Sequence, residues 1–140
     1  MKDQVYYSFS LADTQKFAVT LAAHLVPKDI VLLRGDLGSG KTTLSRYIIH
    51  HITKTDFESI VSPTFNLLNI YGNDPIIYHY DLYRLKTPEE VWELAIEDAF
   101  NSAITLIEWP DIIRPIIPRS CIEIDMTMEK NFHVFKVQIN

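Results

Sequence analysis

One stretch constrains this chain more than any other: Gly35-Asp36-Leu37-Gly38-Ser39-Gly40-Lys41-Thr42. It fits G-x-x-x-x-G-K-[ST], the pattern of a loop that cradles phosphates between a strand and a helix. Both flanks suit it. Asp29-Ile30-Val31-Leu32-Leu33-Arg34 reads as a buried parallel strand. Thr43 to His50 follows with Leu44, Tyr47 and Ile48 at helical spacing. The same residues without that setting would be a glycine-rich turn capping a helix. With it, Gly35, Gly38 and Gly40 allow positive φ and a close wrap around an anion. Asp36, Leu37, Gly38, Ser39 and Gly40 then turn successive N–H groups inward, and the new helix adds its positive dipole end. Lys41 is expected to reach the β- and γ-phosphates, and the Thr42 hydroxyl to bind Mg²⁺. A nucleoside triphosphate is the implied ligand.

The rest of the chain supplies a frame for such a loop. Val5–Phe9 reads as a first strand, and Ser10 with Asp13 opens a helix carrying Leu11, Phe17, Leu21 and Leu25 near one face. Phe65–Tyr71 and Ile76–Tyr80 read as a hairpin turning at Gly72-Asn73-Asp74-Pro75. Thr87-Pro88-Glu89-Glu90 is a helix start, with Thr87 as N-cap, and one helix is expected from there to about Asn101. Ala103–Ile107 reads as a second buried strand, closed by Glu108-Trp109-Pro110, and Ile112–Pro118 as at most a short turn of helix. Cys121–Met126 and Phe132–Ile139 alternate as a terminal hairpin. Strands alternating with helices, plus hairpins, give an α/β, three-layer P-loop NTPase-like domain with a mixed, mostly parallel central sheet. A length of 140 residues is expected to be one domain, 1–140.

Composition narrows the function. A net charge of −5 argues against a protein that grips nucleic acid unaided. Any RNA is expected to be held by a partner. No apolar run approaches the roughly 20 residues of a membrane span, and the polar start at Met1-Lys2-Asp3-Gln4 lacks the apolar core of a signal peptide. The single cysteine, Cys121, has no internal disulfide partner. These features point to a cytoplasmic protein of a bacterial or organellar interior, with no membrane role.

A phosphate loop also needs an acid to position its metal, and such acids sit at the carboxyl end of a neighbouring strand. Glu108 has that place and is assigned to Mg²⁺ through water; the alternative is a solvated strand-end glutamate. Asp81 follows the strand-like His79-Tyr80 and could orient water or hold metal, or be a turn aspartate paired with Arg84. Ser62 and Thr64 flank Pro63 in what reads as a plain loop or a γ-phosphate contact, and Trp109 could cover the pocket or simply pack. His79 reads as a structural histidine.

Four segments together resemble the TsaE family, ATPases of tRNA threonylcarbamoyladenosine biosynthesis. They are Gly35–Thr43, Ser62–Leu67, Tyr78–Leu85 and Leu106–Pro110, and the likeness covers nearly the whole chain in order and spacing. The resemblance implies slow, Mg²⁺-dependent ATP hydrolysis to ADP and association with a TsaD–TsaB pair. That pair modifies the adenosine beside the anticodon of ANN-decoding tRNAs and is reset between cycles by ATP turnover. It further implies that Thr42 and Glu108 bind Mg²⁺, that Lys41 and the loop bind phosphates, and that Thr43, Asp81 and Trp109 support turnover. The adenine would lie near Leu11 and Phe132. Two departures stand out: Ala95 where the family usually has glycine, and Ala99 where an aromatic is common. The competing readings are a small P-loop kinase of a metabolite and a nucleotide-dependent binding module that does not hydrolyse. An arginine-bearing lid for a kinase would have to come from Arg114 and Arg119.

Overall fold

The unbroken apolar run of Ile30, Val31, Leu32 and Leu33 is almost wholly shielded from solvent, so it requires cover on both faces. Val31 and Leu33 pack with Phe17, Leu21, Leu44 and Ile48 on one side, while Ile30 and Leu32 pack with Val91, Ile96 and Phe100 on the other. A strand with two buried faces belongs in the middle of a layered sheet. The computed structural model describes residues 2–140, and Met1, the first residue of the polar start, lies outside the described residues.

The strands are β1 (Gln4–Ser8), β2 (Ile30–Arg34), β3 (Leu68–Gly72), β4 (Ile76–Asp81), β5 (Ile104–Glu108), β6 (Ile122–Met128) and β7 (His133–Ile139). They form one sheet in the order β1-β7-β6-β2-β5-β4-β3. The pairs β6–β2, β2–β5 and β5–β4 are parallel, and the antiparallel pairs β3–β4, β6–β7 and β1–β7 complete the flanks. Helices α1 (Leu11–Ala22) and α2 (Lys41–Thr53) cover one face, and α3 (Ile96–Ser102) covers the other. This is the α/β three-layer arrangement expected, with a sheet parallel in its middle. Among the described residues no helix is long and apolar enough to cross a membrane.

Register places the chemistry. In the β2–β5 pairing Leu33 lies opposite Glu108, and in the β4–β5 pairing Asp81 lies opposite Glu108. The two acids therefore sit side by side at the carboxyl end of the sheet, where β2 gives way to the glycine-rich loop. At the start of α1 the Ser10 hydroxyl accepts from the Asp13 amide at 3.1 Å, and the Asp13 carboxylate accepts from the Phe9 amide at 2.9 Å. The return bond reaches one residue further back than in the usual capping box.

Three elements differ from expectation, the first being α1, which ends at Ala22 and leaves Leu25 beyond it. The first strand of the hairpin starts at Leu68 rather than Phe65, because the Leu67 amide donates to the Pro63 carbonyl at 2.6 Å and closes a turn with Leu67 at φ 68°. The helix expected from Thr87 to Asn101 is two pieces. Pro88–Leu94 is a 3₁₀ segment, Ala95 stands at φ 55° and ψ 35°, and α3 begins at Ile96. Val91 and Ile96 both enter the same apolar cluster, yet five residues of unbroken α-helix would turn them about 140° apart. The left-handed residue resets the phase. Thr87 turns its hydroxyl to the Glu90 carboxylate at 3.4 Å rather than to the backbone. The turn after Asp111 is a 3₁₀ segment, Asp111–Ile116.

A non-glycine residue in the left-handed region costs about 1 kcal/mol, and at such positions the glycine's greater freedom in the unfolded chain offsets only part of it. Ala95→Gly is therefore expected to stabilise the chain by about 0.5–1 kcal/mol in urea unfolding. Equal or lower stability would show that the left-handed turn at Ala95 is not strained.

Candidate functional site

The loop leaves β2 at Gly35, where a Cβ would collide with the Met126 carbonyl on the neighbouring strand. It enters α2 through Gly40, whose φ of 101° no ordinary side chain adopts readily. The α2 ladder starts at once, with the Leu44 amide donating to the Gly40 carbonyl at 2.9 Å. Amides of the first helical turn therefore face the hollow without partners in the helix itself.

Lys41 is folded back over this hollow and is only 5% exposed. Its Nζ donates to the carbonyls of Gly35 at 2.6 Å and Asp36 at 2.9 Å, with the Ser39 hydroxyl at 3.4 Å. The Trp109 ring lies across it, 4.1 Å from Nζ to ring centroid, a cation–π contact. Trp109 reaches that position because the chain breaks from β5 at φ 58°, an uncommon conformation for a bulky residue. Its ring is packed against Tyr83 at 4.7 Å. Burial holds the Lys41 ammonium below its usual range, outweighing the opposing pull of Glu108, Asp81 and Asp36.

Glu108 ends β5 with 1% exposure. Its Oε1 accepts from the Thr42 hydroxyl at 2.7 Å. Its Oε2 lies 2.6 Å from Nε2 of His79, which is fully buried. Asp81, 5% exposed, accepts from the Thr64 hydroxyl at 3.0 Å and from the Tyr83 amide at 3.0 Å. Thr64 in turn shares a 2.6 Å bond with Ser62. Asp81 is thus a turn aspartate, but its partner is not Arg84, whose guanidinium lies 5.5 Å from the Phe65 ring. Thr43 lines the same cleft of about 260 Å³ together with Leu37, Thr64 and Trp109.

Lys41, Thr42, Thr43, Asp81, Glu108 and Trp109 are therefore brought together with the loop residues Leu37, Gly38 and Gly40. Asp36 and Ser39 border a neighbouring cavity of about 560 Å³, which shares Leu37 and Trp109 with the cleft. Leu11 and Phe132 lie apart, in a hollow of about 310 Å³ between the start of α1 and the β6–β7 hairpin. Leu11 is 66% exposed there, and the Phe132 ring packs at a tilt against Phe9, 5.3 Å between centroids. That hollow borders the loop through His133, which bonds the Ser39 carbonyl at 3.0 Å. Arg114 is occupied by Asp111 and Glu123, and Arg119 by the Lys28 and Phe100 carbonyls. Neither guanidinium is left to close over a phosphate.

Two contacts were not readable from the sequence. His79 meets Glu108 rather than remaining an ordinary core histidine, and Thr64 joins Asp81. Parallel register of β4 and β5 would have signalled the first, since residues two before Asp81 share its face.

The site stands within a recognisable family. The family model for threonylcarbamoyl adenosine biosynthesis protein TsaE matches residues 8–134. The chain belongs to the TsaE family. It is 47% identical over 123 residues to the tRNA threonylcarbamoyladenosine biosynthesis protein TsaE of Rickettsia prowazekii, covering 87% of this chain and 85% of that one. With its counterpart from Haemophilus influenzae the identity is 40% over 115 residues, covering 80% and 72%. The crystal structure of Bacillus subtilis YdiB has the same fold, with a TM-score of 0.77 over 99% of this chain and 87% of that one at 23% identity. Membership of the TsaE family ties the chain to threonylcarbamoyladenosine biosynthesis on tRNA.

The lowered pKa of Lys41 gives a signed expectation. The unfolded chain, with its lysine near 10.5, binds that proton more tightly than the folded one. Stability due to Lys41 therefore rises with pH in the alkaline window below 10.5 and is lowest at neutral pH. Chemical unfolding at several pH values should show the parent protein gaining on Lys41→Met as pH climbs toward that value. A pH-independent difference would contradict the burial of the ammonium.

Proposed function

We propose that the chain is the ATP-binding and ATP-hydrolysing member of the threonylcarbamoyladenosine machinery, working as one domain over residues 1–140. One observation carries the reading. Two carboxylates, Asp81 and Glu108, are buried beside a single ammonium, Lys41, at the mouth of an amide-lined loop. A triphosphate added to that excess of negative charge needs a divalent cation with it. The donors facing the cleft, a hydroxyl on Thr42 and a carboxylate on Glu108, are hard oxygens that suit Mg²⁺. Bound there, Mg²⁺ would neutralise charge that builds on the phosphates.

The remaining roles belong to the chain. Amides of Asp36, Leu37, Gly38, Ser39 and Gly40 cradle the phosphates, continuing into Lys41, Thr42 and Thr43. Lys41 exchanges its carbonyl partners for β- and γ-phosphate oxygens. Thr42 donates its only hydrogen to Glu108, which leaves its oxygen lone pairs for the cation. Asp81 fixes the Thr64 hydroxyl at the cleft, and the pair orients the attacking water. Trp109 covers Lys41 and limits solvent. Leu11 and Phe132 flank the adenine. ATP becomes ADP and phosphate, and the turnover resets a TsaD–TsaB pair between cycles. Transfer RNA meets the complex through those partners, in the cytoplasm and without a membrane.

Adding TsaD and TsaB from the same source is expected to raise ATP turnover above that of the chain alone. Lys41→Ala or Glu108→Ala should lower that turnover by about 10²-fold or more. Turnover that ignores the partners would count against the reading. So would a phosphorylated metabolite formed at roughly 1–100 per second, which would favour a kinase.

A further inference from the structure

Glu108 is held from two sides, and only one of them belongs to the phosphate-binding segment. Thr42 opens α2 and bonds Oε1. His79 lies in β4, two residues before Asp81, and meets Oε2 at 2.6 Å. We propose that His79 is a positioning residue. Through the Glu108 carboxylate it fixes how the Thr42 hydroxyl presents its lone pairs to the cation that accompanies the nucleotide.

The first support is burial. His79 has no exposed surface and Glu108 has 1%. Around them the α1–α2 face of the sheet is aliphatic, with Ile77, Ile104 and Leu106 in the same cluster. A buried pair of this kind is commonly replaceable by apolar residues with no loss of stability. Stability alone therefore does not explain a histidine here.

The second support is the other ring nitrogen. Nδ1 of His79 is buried and has no hydrogen-bond partner among the described residues. An unpartnered lone pair is less costly than an unpartnered N–H, which places the ring hydrogen on Nε2, where it donates to Glu108. The ring thus keeps an unsatisfied atom in the core for the sake of one bond to this carboxylate. Metal-site carboxylates held by an outer hydrogen bond behave in this way in general.

The third support is leverage. Glu108 is the last residue of β5, and past it the chain turns away at Trp109. Without the His79 bond, its carboxylate is free to rotate about the terminal torsion, which is broad for this side chain. The Thr42 hydroxyl would then lose a fixed acceptor.

This inference rests on Glu108 and Thr42 serving the cation, and its test separates the two ideas. The affinity for ATP is measured by calorimetry in MgCl₂ and again in EDTA, and the ratio gives the gain due to magnesium. For His79→Leu the expected result is a gain reduced about tenfold, with the EDTA affinity unchanged. His79→Gln, whose amide nitrogen reaches the place of Nε2, should recover most of the gain, and His79→Asn, which is too short, should not. A full gain in His79→Leu would overturn the proposal, as would equal losses in MgCl₂ and EDTA. If His79→Leu does not fold, the Gln and Asn variants decide, and equal gains in those two would overturn it. Glu108→Ala is the control. If it keeps the full gain, the reading of the metal site fails and this inference falls with it. If it loses the gain while His79→Leu keeps it, only the role of His79 is refuted.

Discussion

A carboxylate at the end of a buried strand must be given hydrogen-bond donors or expelled, and Glu108 is given two from different parts of the fold. Thr42 comes from the first turn of α2, His79 from the middle of β4. Each donor is placed by something larger than itself. The β2–β5 register brings α2 over Glu108, and the β4–β5 register brings His79 beside it on the same face. The parallel centre of the sheet is therefore what allows three elements to share one carboxylate, and a slip of one residue would turn Glu108 to the opposite face.

Charge follows the same logic. Lys41 is drawn in among carbonyl oxygens and under Trp109, with Asp36, Asp81 and Glu108 near enough to act on its charge. Burial disfavours the ammonium, and the acids only partly offset that. A polyanion at the loop would relieve the lysine and strain the acids, and a cation would relieve the acids. On the proposed reading neither ligand would be at ease without the other, which is why nucleotide and magnesium are proposed together.

Much of this was legible in the residues. The loop declared itself because glycine spacing, lysine and threonine are dictated by local backbone chemistry. Glu108 was found because a proline-terminated apolar run marks a strand end. The His79–Glu108 and Thr64–Asp81 contacts were missed because they arise from pairing between β4 and β5 and from the turn at Leu67. Neither is visible in a single stretch of sequence. The break at Ala95 was missed for a related reason: Val91 and Ile96 look like one helix until the sheet demands both on one side. The placing of Leu11 and Phe132 beside an adenine came from family likeness alone, and the hollow that they line adjoins the loop through His133 and Met128.

The central claim is that main-chain amides of the loop hold a triphosphate with magnesium. Amide hydrogen exchange, followed residue by residue with and without ATP and Mg²⁺, tests it most directly. Amides from Leu37 to Thr43 should slow strongly when both are added, while those of β1 and β3 stay as they were. Unchanged exchange across that loop at saturating ATP and Mg²⁺ would contradict the account.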